Sequence, residues 1–294
     1  MSVLSLCFGM ALAAGIISWF AMRSYWDTDA GAPQLDPSTI HTEVRRHRRA
    51  ALWLRSHLDP TAATGSILGV IGIVAVVGGG AFGVLLTMVR THQGFARFDG
   101  SAARFGASHA TSTSTQVLRI VTQTGGAYVI IPLAIVAGVA QKRRMHSWVP
   151  VAFLAVVVGG QYLFADVIKV LVDRTRPDLL RLTGFSGPSF PSGHATASSA
   201  VFAAVALLLG RGRSRSAKAA LSAVGVGAAV LIAATRVLLG VHWLTDVIAG
   251  LILGWTWFAV TSIAFGGRLL RFGAPLQIAE HLATGDGEAA TAGT

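Results

Sequence analysis

Seven stretches without a charged residue alternate with polar, arginine-rich connections along this chain: residues 3–22, 66–89, 124–141, 149–165, 195–210, 219–235 and 247–265. None shows the two-residue alternation of a half-buried strand or a narrow apolar stripe; each is apolar on every face, as a helix inside a bilayer must be. A crossing takes about 20 residues, and the polar ends of the shorter runs complete their length. Glycine and alanine recur throughout, which suits helices that pack closely within a membrane. The pattern predicts an all-α fold, a polytopic membrane helix bundle. It divides the chain into an N-terminal span (1–23), a connecting segment (24–65), a membrane domain of six helices (66–265) and a small, polar, disordered tail (266–294).

The connections carry the charge. In the first, Asp36-Pro37 and Asp59-Pro60 bracket Arg45, Arg46, Arg48, Arg49 and Arg55 among Val44, Leu52, Trp53 and Leu54. That composition predicts a basic amphipathic helix lying on an anionic leaflet. The segment 90–123 mixes Phe95, Phe98 and Phe105 with Arg97 and Arg104 and is expected on the opposite surface, shaping a lipid entrance. Lys142, Arg143 and Arg144 form one basic turn, and Arg211, Arg213, Arg215 and Lys218 another. Counting crossings places both turns on one face, together with Arg268 and Arg271, and the excess of arginine and lysine marks that face as cytoplasmic.

Composition agrees with this reading: 13% of the 294 residues are charged, 53% are hydrophobic and the mean hydropathy is +0.61. The net charge of +11 would suggest nucleic acid in a soluble protein. Here the basic residues mark topology, so no nucleic-acid partner is inferred. Cys7 is the single cysteine, which excludes an intrachain disulfide framework and a cysteine-built metal site.

The same count of crossings brings the chemically unusual residues to the other, outer face. Lys169 and Arg176 stand at the end of the span that begins at Val149, Ser192, Gly193 and His194 open the next helix, and Arg236, His242 and Asp246 return two spans later. Ionisable groups at helix ends in an apolar bundle mark function. Ser192 and Gly193 form a turn feeding a helix start, where Ser192 is a good N-cap and free N–H groups suit a phosphate. Lys169, Arg176 and Arg236 could clamp a phosphoryl group. His242 and Asp246 are four apart and share a helix face. The carboxylate can bind one imidazole nitrogen and leave the other aimed at phosphorus. His194 is a second histidine able to give a proton to a leaving alcohol. Asp166, one turn from Lys169, could pair with it or cap a hydrated pocket.

These motifs resemble those of the type 2 phosphatidic acid phosphatase family, whose active site is shared with vanadium haloperoxidases. The first motif, Lys, six residues, Arg-Pro, matches Lys169 to Pro177. The second, Pro-Ser-Gly-His, matches Pro191 to His194. The third, Ser-Arg, five residues, His, three residues, Asp, matches Thr235 to Asp246, with Thr235 keeping the hydroxyl of the usual serine. The resemblance covers residues 66–265. It implies a cofactor- and metal-independent lipid phosphatase of the cell membrane, working at the outer face on a lipid phosphate or diphosphate. By that resemblance His242 is the nucleophile, Asp246 orients it and His194 protonates the leaving group. Lys169, Arg176, Arg236, Ser192 and Gly193 hold the phosphate. A phosphotransferase would share the first chemical step. A non-catalytic lipid or anion transporter would share the outer cationic pocket, although the apolar spans offer no polar path across the membrane.

Overall fold

In a computed structural model of the chain, residues 2–27, 63–179 and 181–271 are described. Among them the regular elements are all helical: α1 (Val3–Asp27), α2 (Ala63–Thr91), a 3₁₀ turn (Gly94–Phe98), α3 (Asp99–Ser108), α4 (Ser112–Gln123), α5 (Ala127–Met145), α6 (Val149–Val172), α7 (Gly193–Gly210), α8 (Arg215–Leu238) and α9 (Leu244–Arg271). The expected basic amphipathic helix and most of the tail lie outside the described residues.

Six of the seven uncharged runs fall wholly on a helix, and the seventh, 124–141, does so from Ala127 onward. Among the described residues, six helices are long and apolar enough to cross a membrane. The run at 124–141 differs from expectation. It belongs to a bent pair, α4 and α5, whose axes meet at 41° across the turn at Gly125-Gly126. Alone, α5 is too charged to qualify, because Lys142, Arg143 and Arg144 occupy its last turn. The segment 90–123 is also more ordered than a plain connection. Its α4 is amphipathic, burying Ser114, Leu118 and Thr122 on one face. It is opened by a reciprocal capping box between Thr111 and Ser114.

The centre of the bundle is α7. Ala195, Thr196, Ala197, Ser198, Ser199, Ala200, Val201, Ala204 and Leu208 are all buried, and α7 packs against α5, α6, α8 and α9. Large apolar residues such as Val76, Val170 and Val224 instead point outward, where acyl chains would cover them. The serines and threonines of α7 need no distant partner. Thr196 donates to the Ser192 carbonyl at 2.9 Å, Ser198 to His194 at 2.7 Å and Ser199 to Thr196 at 3.1 Å.

Helices this close require small residues where backbones meet. A Cβ on Gly254 of α9 would lie 2.4 Å from the Thr196 carbonyl oxygen and 2.0 Å from Ser199 Oγ. On α8, a Cβ on Gly227 would lie 3.0 Å from the Ala11 carbonyl of α1. The N-terminal span is therefore seated directly on α8. The two basic turns meet at the end of the bundle opposite the site: a Cβ on Gly212 would be 3.9 Å from Arg144 Nη2.

Replacing Gly254 by Val should destabilise the fold by about 3 kcal/mol or more, since overpacking usually costs about 1–3 kcal/mol and backbone atoms here have no room to yield. Thermal unfolding in detergent measures this. An unchanged midpoint would mean that α7 and α9 are not in such close contact.

Candidate active site

The three motifs converge at one end of the bundle on a pocket of about 480 Å³, which Lys169, Arg176, Gly193, His194, Arg236 and His242 line. Lys169 comes from the last turn of α6, Arg176 from the loop after it, Gly193 and His194 from the first turn of α7 and Arg236 from the last turn of α8. His242 sits in the short connection before α9, and Asp246 in the first turn of α9. Each lies at or just beyond a helix end, where an apolar helix can present a charge without burying it in hydrocarbon.

His242 is 3% exposed, and its two nitrogens have different partners. Nδ1 lies 3.4 Å from Asp246 Oδ2, and Nε2 lies 3.2 Å from Arg176 Nη1. A neutral ring carrying its proton on Nδ1 satisfies both contacts: it donates to the carboxylate and accepts at Nε2 from the guanidinium. Asp246 is wholly buried, and its Oδ2 also accepts the Trp243 N–H at 2.9 Å. The backbone on either side is tied together, since the Ser192 N–H donates to the Asp246 carbonyl at 3.0 Å.

Arg176 is more committed than the spacing suggested. Its Nε donates to Gly187 O at 2.9 Å, Nη2 to Ser186 O at 2.8 Å and Pro188 O at 3.0 Å, and Nη1 to Val241 O at 2.7 Å. Four of its five N–H groups therefore staple the loop to the third motif, and the fifth faces His242 Nε2. An incoming phosphate oxygen can compete for that last N–H and, in taking it, release the imidazole lone pair.

The other cations are less occupied. Arg236 is 4% exposed; its Nη1 donates to Thr122 Oγ1 at 3.1 Å, and its Nε is buried without a partner among the described residues. Lys169 pairs with Asp166 at 3.3 Å, so of the two roles open to Asp166 the pairing is the one observed. Ser192 holds the N-cap position of α7 but makes no capping bond, contrary to expectation, and its buried Oγ has no partner among the described residues. That leaves the hydroxyl and the first N–H groups of α7 available to an anion, which the partial positive charge of a helix N-terminus favours. His194 packs against the α4–α5 turn: Cβ atoms on Gly125 and Gly126 would lie 3.5 Å and 3.7 Å from its ring.

Two residues that the motifs do not contain complete the arrangement. Arg174 Nη1 donates to Asp246 Oδ1 at 2.6 Å, and Arg174 Nη2 donates to Asp99 Oδ2 at 2.8 Å. Both have a signal in the sequence. Arg174 is a second arginine inside the six-residue spacer of the first motif, and Asp99 is the one carboxylate between Pro60 and Ala165.

Comparison with known proteins places this geometry in a family. The PAP2 superfamily matches residues 150–269. Phosphatidylglycerophosphatase B of Bacillus subtilis is 32% identical over 159 residues, which are 53% of this chain and 77% of that protein. The chain belongs to the PAP2 superfamily. Decaprenylphosphoryl-5-phosphoribose phosphatase of Mycobacterium tuberculosis is 35% identical over 144 residues, covering 46% of this chain and 71% of that protein. The lipid A 1-phosphatase of Rhizobium etli is 37% identical over 129 residues, covering 40% of this chain and 51% of that protein. The crystal structure of a transmembrane PAP2 type phosphatidylglycerolphosphate phosphatase from Bacillus subtilis superposes with a TM-score of 0.62 at 26% identity, covering 67% of this chain and 98% of that one. This chain is thus a multi-pass membrane protein of a family whose named relatives are lipid phosphatases.

Burial lowers the His242 imidazole from its ordinary 6.5 to about 4, although Asp246 acts in the opposite direction. The neutral ring is the form that keeps a lone pair on Nε2, and its population falls as pH drops through that value. The acid limb of kcat/KM on a soluble aryl phosphate, corrected for titration of the substrate, should therefore lie near pH 4, because kcat/KM reports the free enzyme. A limb at pH 6 to 7 would assign the titration to another group.

Proposed function

We propose that this chain is an integral membrane hydrolase that removes the terminal phosphate from a lipid phosphate or diphosphate at the outer membrane face, through a phosphohistidine intermediate. The observation that carries the proposal is His242, backed at Nδ1 by Asp246 and presenting Nε2 to a pocket lined by Lys169, Arg176 and Arg236. The names of the relatives support the substrate class, because each acts on a phosphate borne by a membrane lipid.

In this mechanism the phosphate settles among the cations, the Ser192 hydroxyl and the N-terminus of α7. Nε2 of His242 attacks phosphorus in line with the bridging oxygen. As that P–O bond breaks, protonated His194 transfers its proton to the departing lipid oxygen. Asp246 stabilises the positive charge that grows on the imidazole. Neutral His194 then takes a proton from water, which attacks phosphorus, releases inorganic phosphate and restores His242. The three cations supply the stabilisation that a metal ion gives in other phosphatases. Among the described residues, no three His, Cys, Asp or Glu side chains gather as a metal site would require.

The two histidines separate by substrate. A lipid alkoxide must be protonated to leave, whereas para-nitrophenolate leaves unaided. General acid catalysis is worth about 10²–10⁴-fold, so His194→Ala should lose roughly that on an alkyl lipid phosphate and distinctly less on para-nitrophenyl phosphate. His242→Ala should abolish both. Single-turnover assays with binding checked separately decide this, and aryl phosphatase activity in His242→Ala would remove the proposed nucleophile.

Orientation is tested at Ser186, an exposed residue at the pocket mouth. A cysteine placed there should react with an impermeant thiol reagent in intact cells. Labelling only after permeabilisation would put the site on the cytoplasmic face.

A further inference from the structure

Behind the proposed nucleophile lies a second tier of charge. Asp99, the first residue of α3, is 4% exposed. Its Oδ1 accepts the Thr245 N–H at 2.9 Å, and its Oδ2 accepts the Thr245 hydroxyl at 2.7 Å and Arg174 Nη2 at 2.8 Å. Arg174 reaches onward through Nη1 to Thr245 Oγ1 at 2.8 Å and to Asp246 Oδ1 at 2.6 Å. The hydroxyl thus gives its proton to Asp99 and receives one from Arg174, and both oxygens of each carboxylate are engaged. The result is a continuous series, Asp99 to Arg174 to Asp246 to His242, that ties the surface helix α3 to the centre of the site.

The charges matter as much as the contacts. Arg174 alone against Asp246 would cancel the carboxylate that the imidazole needs. With Asp99 on its other side, the guanidinium is shared between two carboxylates, and the cluster keeps one net negative charge behind the ring. As Nε2 bonds to phosphorus the imidazole becomes cationic, and a fixed negative charge at Nδ1 stabilises that state more than the resting one. The sharing also fixes the rotamer of Asp246, since Oδ1 is held by Arg174 while Oδ2 faces the ring.

We infer that Asp99, acting through Arg174, is a positioning residue for phosphoryl transfer: it holds the Asp246 carboxylate on the His242 imidazole and preserves its negative charge there. The inference rests on the reading of His242 as nucleophile. Asp99 lies outside residues 150–269, the part of the chain that the family matches. It stands in the segment that the motifs leave unassigned. The charged and titratable groups that surround the imidazole are Arg176 from the loop, His194 from α7, Arg236 from α8 and Asp246 from α9, with Lys169 of α6 across the pocket. None of them replaces Asp99, because none touches Arg174 from its far side.

The test uses Asp99→Asn in the full chain, purified in detergent, with para-nitrophenyl phosphate as substrate and vanadate as a probe of anion binding. Asparagine keeps the Oδ1 acceptor for the Thr245 N–H, while its NH2 replaces Oδ2, so the charge and the acceptor for Arg174 and the Thr245 hydroxyl are lost together. Turnover should fall about 10–100-fold, the range seen when a group behind a metal ligand is removed. KM and vanadate inhibition should change by less than about threefold, because the anion contacts are untouched. The acid limb of kcat/KM should move to lower pH, since the imidazole loses negative charge behind it. A purely architectural role would reduce the active fraction and leave that limb in place, and this result, like unchanged turnover, would overturn the inference. If Asp99→Asn does not fold, as judged by thermal unfolding, Arg174→Lys replaces it: a single ammonium cannot hold both carboxylates in the same way, so the same loss in kcat with KM retained is expected, and wild-type turnover would overturn the inference. His242→Ala is assayed in parallel. Activity in that variant would sink the nucleophile itself, whereas an inactive His242→Ala beside a fully active Asp99→Asn would sink only the role given to Asp99.

Discussion

Crowded positive charge at one end of an apolar bundle is the constraint that the rest of this structure accommodates. Lys169, Arg174, Arg176 and Arg236 meet there, and like charges this close repel one another strongly where water is scarce. Each is held differently. Arg176 is spent on four carbonyls of its own loop and its neighbour, Arg174 is shared by two carboxylates, Lys169 leans on Asp166, and the Arg236 guanidinium hydrogen-bonds, among the described residues, to Thr122 alone. The groups least satisfied by protein are those free to receive an anion: Arg236 Nε and the Ser192 hydroxyl are buried without partners among the described residues. A phosphate, if bound there as proposed, would supply the counter-charge these groups lack.

Why the charge can be held so close to hydrocarbon follows from the packing of α7. Its small residues let α9 approach until backbone meets backbone, and the Ser192 N–H reaches the Asp246 carbonyl. The Ser192-Gly193 turn and the backbone that carries Asp246 are thereby fixed to each other by main chain rather than by flexible side chains. At the Gly125-Gly126 turn between α4 and α5 the chain passes beside His194, and Ile232 of α8 leaves no room for a Cβ on Gly125.

The uncharged runs were legible because a bilayer admits so few solutions: an apolar stretch of about 20 residues becomes a helix, and connections alternate between faces. The motif residues were legible because ionisable groups stand out against that background. What stayed hidden depends on contacts distant in sequence. Arg174 differs from other loop arginines only in meeting Asp99 and Asp246, 75 and 72 residues away. The bend at Gly125-Gly126 was masked by an unbroken lack of charge across residues 124–141. Ser192 fits the composition of an N-cap, yet its hydroxyl turns away from that bond, which composition alone does not reveal.

The series from Asp99 to Asp246 also bears on how the protein is made. Its members emerge in chain order, and Asp246 follows Arg174 by 72 residues. At a synthesis rate of about 5–20 residues/s, that separation lasts roughly 4–14 s. During it Asp99 and Arg174 can already pair with each other, so the arginine does not wait as an isolated charge beside the membrane. The insertion of α9 then docks a carboxylate onto a cation already in position. A chain arrested at the end of α8 therefore carries Lys169, Arg176 and Arg236 without His242 or Asp246, a half-built centre whose cations lack the imidazole and the carboxylate that complete it.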